Sequence, residues 1–231
     1  MIRTKLLGSL NFEEASPIKN ILIVPIVAIA LCTSLVFARA AEPVGTKRII
    51  NNFLPGSVTK DEGLRYWRKF HEVASHPRCS NCHVGPDNIP MWSGSSYGET
   101  RPHGMKINAG KSRIGAETLL CAACHTSLKK PNPAANAPLH SPPKVTGIWG
   151  LAPVSAAWFG MSSNHICNQI KDPQRNGNRS IRDVAAHLGH DAVLRWAWSP
   201  GGNREPPPRT LQEAMDNLMK WAAAGAPCPG E

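Results

Sequence analysis

The pattern Cys-x-x-Cys-His occurs twice in the chain, as Cys79-Ser80-Asn81-Cys82-His83 and as Cys121-Ala122-Ala123-Cys124-His125. No other feature constrains the fold as tightly. Two thiols three positions apart on a turn of helix can each form a thioether to one of the two vinyl groups of a haem, while the adjacent imidazole binds iron from the proximal side. This is the attachment sequence of c-type haem. Two covalently attached haems c follow, with Cys79, Cys82, Cys121 and Cys124 bonded to porphyrin and His83 and His125 as proximal ligands.

Two other readings of paired Cys motifs compete. Four thiolates can hold zinc, and a single Cys-x-x-Cys can be a thioredoxin-like redox pair. Neither requires His immediately after both pairs. The redox pair also belongs in a βαβ setting, and the flanks here, His-Pro-Arg before the first motif and Gly-Pro-Asp after it, show no strand pattern.

The compartment is read from the N-terminus. Residues 21–37 form an apolar run without a charge, followed by Ala38-Arg39-Ala40-Ala41, the small-residue pattern a signal peptidase cuts, here after Ala40. Residues 1–40 are therefore a signal peptide, and the mature chain is periplasmic, where covalent haem attachment takes place. The alternative is an uncleaved membrane anchor, since the run is near the lower limit for a spanning helix. Removing 1–40 leaves 22 basic against 14 acidic side chains, a net of +8. Such a surface favours an acidic partner or an anionic membrane face. The basic residues are scattered with no run of five, so nucleic acid is not expected as a partner.

The 231 residues include 21 Pro and 19 Gly, with 42% hydrophobic and 18% charged positions, which excludes fibrous and fully disordered chains and requires long loops. The fold class is mainly α with long Pro/Gly-rich loops. Helices are predicted over residues 60–75, 115–128, 164–171, 180–189, 191–197 and 210–224. On the first, Leu64, Trp67, Phe70, Val73 and Ala74 make an apolar face. On the last, Leu211, Met215, Leu218, Met219 and Ala222 do so, with a Thr210/Glu213 capping box at its start. Residues 85–110 read as a loop over the first haem and residues 131–143 as an extended connector. A haem-binding region, 41–143, precedes a helical region, 144–231, that packs on the haems within one domain. The macrocycles form much of the core, and Trp149, Trp158, Trp196, Trp198 and Trp221 read as core aromatics.

Cys167 and Cys228 stand outside the motifs. In an oxidising compartment they are expected to pair, closing a loop of about 60 residues; free thiols, or one thiolate on iron, are the alternatives. For the sixth position on each iron the candidates are His71, His76, His103, His140, His165, His187 and His190, with Met91, Met105 and Met161. Seven spare His against two positions argue for at least one bis-His iron. His103 is the first choice, folding back over the haem of His83, with Met105 as its rival. His187 is the second, as an imidazole on an apolar helix face. His76 lies too close to its own attachment helix to reach around the same ring but could cross to the second haem.

The stretch FHEVASHPRCSNCH (residues 70–83), then Pro90-Met91, RPHGM (101–105), CAACH, CNQIKDPQRNG (167–177) and the terminal WAAAGAPCP resembles a family of bacterial exported di-haem c-type cytochromes. Some members are labelled a cytochrome subunit associated with isoquinoline oxidoreductase. The resemblance spans nearly all of the mature chain. It implies a di-haem cytochrome c-like fold and single-electron transfer from a redox partner, such as a molybdenum hydroxylase or another dehydrogenase, to a downstream acceptor. Competing activities are a di-haem peroxidase, which needs one open iron with an acid/base residue above it, and a haem-based sensor.

Overall fold

Thr59 opens the first helix. Its hydroxyl accepts the Glu62 N–H while the Glu62 carboxylate accepts the Thr59 N–H, and α1 follows as Lys60–Ala74. The structure, a computed structural model, describes residues 48–126, 147–201 and 204–230. The expected signal peptide 1–40, the expected connector 131–143 and His140 lie outside the described residues. Gly63, Trp67, Phe70, Val73 and Ala74 are buried. Leu64, expected on this face, is only half-buried, because it lies one residue, and so about 100°, off the stripe that starts at Gly63. At Gly63 a Cβ would collide with Ala224, so the close approach of α1 to α8 (Leu211–Ala223) tolerates no side chain there.

The predicted Thr210/Glu213 capping box opens α8. Ala214 and Trp221 take core positions alongside Leu211, Met215 and Leu218, while the expected Met219 and Ala222 are half-buried. Between these helices run α4 (Ser163–Lys171), α5 (Pro173–Asn176), α6 (Ile181–His190) and α7 (Ala192–Ala197). The short α5 was not foreseen; it starts at Pro173, whose fixed φ suits a first helical position, and is capped by Asp172. Helices α1, α4, α6 and α8 share a core of side chains centred on Trp67 and Trp221, whose rings lie 4.8 Å apart. Truncating either to Ala costs about 3–5 kcal/mol. A disulfide joins Cys167 on α4 to Cys228 beyond α8, across 61 residues, and both cysteines are fully buried.

The first Cys-x-x-Cys-His motif begins on α2 (Pro77–Ser80), which Pro77 starts after α1 has ended. The predicted helix over 115–128 shrinks to one turn, α3 (Cys121–Cys124). Its expected first part is a tight loop in which Gly115 takes φ +78° and a Cβ would strike the Leu119 carbonyl. The Thr118 N–H donates to Gly115 and the Cys121 N–H to Ile114, so the backbone bonds a helix would use are spent closing that loop. Within the expected loop 85–110, β1 (Met91–Trp92) pairs antiparallel with β2 (Arg101–Pro102), Trp92 opposite Arg101. The molecule is mainly helical with long loops. Among the described residues no helix is long and apolar enough to cross a membrane.

Candidate functional site

The first motif is held from three sides. His76 caps α2, its Nδ1 accepting the Arg78 N–H at 3.2 Å. That role keeps His76 on its own helix, so it does not cross towards the second motif. After the helix, the carbonyls a helix end leaves without partners are met by another segment: Cys82 accepts from the Ala152 N–H, and His83 from the N–H groups of Trp158 and Phe159 at 2.7 and 3.0 Å. Arg113, a buried guanidinium that no sequence pattern flagged, closes the third side by donating to the carbonyls of Val84, Gly85 and Ala152 and to Asn88 Oδ1.

His83 is fixed both in orientation and in proton position. Its Nδ1 lies 2.7 Å from the Ala156 carbonyl oxygen, which can only accept, so Nδ1 carries the proton and Nε2 keeps a lone pair. Trp158 stacks on the ring at 3.6 Å and 11°, covering a face while leaving the nitrogen edge clear. Burial pulls the imidazole down to about 4, so it is neutral as metal ligation requires. His187 on α6 is near enough to depress it further. The expected apolar setting of His187 is not found: Ala185, Leu188 and Gly189 face the core and His187 is exposed, because the helical stripe passes it by.

The second motif borders a cavity of about 330 Å³, a volume usual for small-ligand sites. Its walls include Cys82 from the first motif, Cys121, Cys124 and His125 from the second, Trp92, His103 and Met105 from the 85–110 segment, and Trp149 and Trp196. That segment therefore roofs the second motif, not the first alone. His103, predicted to fold over the haem of His83, instead lies beside His125, with ring centres 6.2 Å apart. Two imidazoles sharing one metal at ~2 Å each have ring centres about 6 Å apart, so the spacing fits an intervening iron. His103 Nδ1 sits 2.8 Å from the Gly104 carbonyl, so Nδ1 carries a proton. The cause of the shift is local: β1 and β2 pair, and the His103 N–H donates to Pro90, which turns the loop end towards α3. Its rival Met105 is 82% exposed with φ +60°.

Other candidates have other partners. His165 Nε2 meets Arg175 Nη2 at 2.9 Å, His71 lies beside Trp67, and Met161 and His190 are exposed. The five C-terminal tryptophans divide: Trp198 and Trp221 join the core, Trp158 covers His83, and Trp149 packs 4.5 Å from His125 and 5.3 Å from Trp196. His125 is likewise drawn down to about 4 by burial and by His103, and its Nδ1 is buried without a hydrogen-bond partner.

The motif cysteines are all free of disulfides. Burial pushes Cys79 up to about 12, and burial with the neighbouring Cys121 pushes Cys82 up to about 11. A thioredoxin-type pair needs the opposite, a thiol lowered towards thiolate. Among the described residues no three His, Cys, Asp or Glu side chains converge as an all-protein zinc site demands. An apolar cavity, imidazoles kept neutral at His83 and His125, and protonated thiols at Cys79 and Cys82 suit a haem. Comparison of the chain with protein-family models, curated proteins and solved structures gave no match.

Proposed function

We propose that the chain is a periplasmic di-haem c-type cytochrome that carries single electrons between a dehydrogenase- or hydroxylase-type partner and a downstream acceptor. The observation that carries the reading is the placing of His103 beside His125, ring centres 6.2 Å apart, on a cavity that Cys82, Cys121 and Cys124 also line. Haem c supplies the one-electron iron couple when bound. Cys79 and Cys82 would anchor one macrocycle and Cys121 and Cys124 the other. His83 and His125 would bind iron through their ring nitrogens, and His103 and His187 would be the further imidazole candidates.

The remaining side chains serve orientation and exclusion of water. Ala156 and Trp158 hold the His83 ring at one angle, and Arg113 fixes the backbone on either side of it. Trp92, Trp149 and Trp196 wall the second site, so that a macrocycle filling it would extend the apolar core. Cys82 and Cys121 line the same cavity, which brings the two attachment sites into one neighbourhood and suits exchange between two irons.

Pyridine haemochrome assay of denatured, acetone-extracted protein tests the cofactor, and two haems per chain that resist extraction are expected. Low-temperature EPR, with carbon monoxide added to the reduced protein, tests the role. Two low-spin irons that ignore carbon monoxide support the carrier. Stoichiometric carbon monoxide binding with sustained peroxide consumption would replace it with a peroxidase.

A further inference from the structure

In a Cys-x-x-Cys-His motif the attachment chemistry belongs to the two thiols and the imidazole, so a buried polar side chain at an x position needs another reason. In the second motif these positions are Ala122 and Ala123, both exposed. In the first they are Ser80 and Asn81, both buried. Ser80 stays local, its hydroxyl reaching the carbonyls of Ser75 and His76 at 3.2 Å. Asn81 reaches outwards. Its side-chain oxygen accepts the hydroxyl of the buried Ser93 at 2.6 Å, and its backbone carbonyl accepts the Met91 N–H at 3.0 Å. Asn81 thus holds both ends of the three-residue stretch that contains β1.

That stretch places His103. Met91 stands opposite Pro102 in the ladder, and the next residue is His103, whose N–H donates to the Pro90 carbonyl at 2.8 Å. Trp92, between the two partners of Asn81, packs on the His103 ring with centres 5.2 Å apart, and a Cβ on Gly104 would come within 3.1 Å of the same indole. Pro90 and Pro102 fix φ on both sides of the pairing, which narrows the ways the two strands can move apart. A ladder of two residues per strand is marginal by itself in water, so its position comes from what it is tied to. The base of the loop is closed separately, by the Ala109 N–H on the Asn88 carbonyl at 2.8 Å, and the tip by Tyr97 beneath the Arg78 guanidinium at 5.5 Å. Asn81 acts between them, on the strand against which His103 packs.

We infer that Asn81 is a positioning residue for the second site: from inside the first motif, through Ser93 and the β1–β2 ladder, it holds His103 against His125. A side chain in the motif that would carry one haem therefore governs the imidazole offered to the other. The second motif supplies no such side-chain hold, having Ala123 at the matching position. The role of His103 towards iron rests on the haem reading above, whereas the tie from Asn81 to the ladder does not.

The test compares full-length wild type with S93A, N81A and H103A by low-temperature EPR and by carbon monoxide titration of the reduced protein. The iron whose signal H103A changes is that of the second site. Losing one buried hydrogen bond loosens the hold about tenfold or more, so S93A and N81A should each raise the carbon monoxide-binding share of that iron by this factor. The other iron should keep its low-spin signal, although Asn81 lies in its own motif. Amide exchange at His103 should quicken by a similar factor. A side chain that only shaped its own turn would move its own iron, so a change at the first iron, alone or together with the second, would overturn the inference. Two unchanged irons would overturn it too, whatever the amides do, and so would an H103A variant that alters neither iron. Should the haemochrome assay find no haem, the proposed function falls, and the exchange rate of the His103 amide in S93A alone decides whether Asn81 places this histidine. Should N81A not fold, S93A, which lies outside both motifs, decides.

Discussion

Replacing Arg113 with Met tests how the first motif is held. The side chain is 8% exposed and makes hydrogen bonds to three backbone carbonyls, those of Val84, Gly85 and Ala152, and to Asn88 Oδ1, at distances of 2.8–3.0 Å for the Nε, Nη1 and Val84 contacts. Bonds from a charged donor contribute about 1.5–3 kcal/mol each, but these share one side chain, and water can reach part of the space once it is gone. Counting the three carbonyls at the low end, about 4.5 kcal/mol, and discounting for that access gives a loss of about 3–4 kcal/mol. This is a large share of the ~5–15 kcal/mol that holds a domain folded. With a urea slope near ~2 kcal/mol per molar, the unfolding midpoint should drop by about 2 M at unchanged slope. Arg113→Lys should recover part of the loss, since a single ammonium cannot span Ala152 on one side and Val84 and Gly85 on the other. The measurement is urea unfolding followed by circular dichroism on the oxidised protein. An R113M midpoint within about 0.5 M of wild type would refute the claim that this guanidinium ties residues 84–85 to residue 152.

The Cys167–Cys228 bridge closes 61 residues, so the double Ala variant should lose about 4 kcal/mol on the chain-entropy account; alkylation of two thiols in the native oxidised protein would instead deny the bridge. His103→Ala should convert one low-spin iron to high-spin and open it to carbon monoxide while leaving the other unchanged, and Met105→Ala should alter neither spectrum. His187→Ala should act on the other iron, and an effect of both His variants on the same iron would contradict the pairing. Burial, helped by Arg78, holds His76 down to about 4 against an ordinary 6.5, so the folded state binds that proton more weakly than the unfolded one. The neutral ring carries no cost above pH ~6.5, and stability should fall as pH drops from about 6.5 to about 4, because a protonated Nδ1 cannot cap α2. His76→Asn keeps a cap acceptor and should flatten that part of the pH profile of the urea midpoint; an unchanged slope would show that His76 is not its source.

Local chemistry was legible in the chain, and longer-range choices were not. The two Cys-x-x-Cys-His patterns, the Thr210/Glu213 box and most helix spans depend on residues within a turn or two of one another, so order along the chain carries them. Cys167 and Cys228 could be matched once the motif cysteines and Cys32 of the N-terminal segment were set aside. Which histidine meets which motif could not, because His103 reaches His125 through the pairing of β1 with β2, a two-residue ladder with no alternation to read. The same holds for α3, cut to one turn by the loop that Gly115 permits, and for Arg113, an arginine in a polar stretch whose burial exists only once Val84, Gly85 and Ala152 surround it. The tryptophans make the division plain. Their number promised buried aromatic area, but whether an indole N–H finds a carbonyl, as in Trp221, or is buried without one, as in Trp149, is settled by the packed surroundings. Hydrogen-bond satisfaction is a property of the packed surroundings, and composition and spacing do not encode it residue by residue.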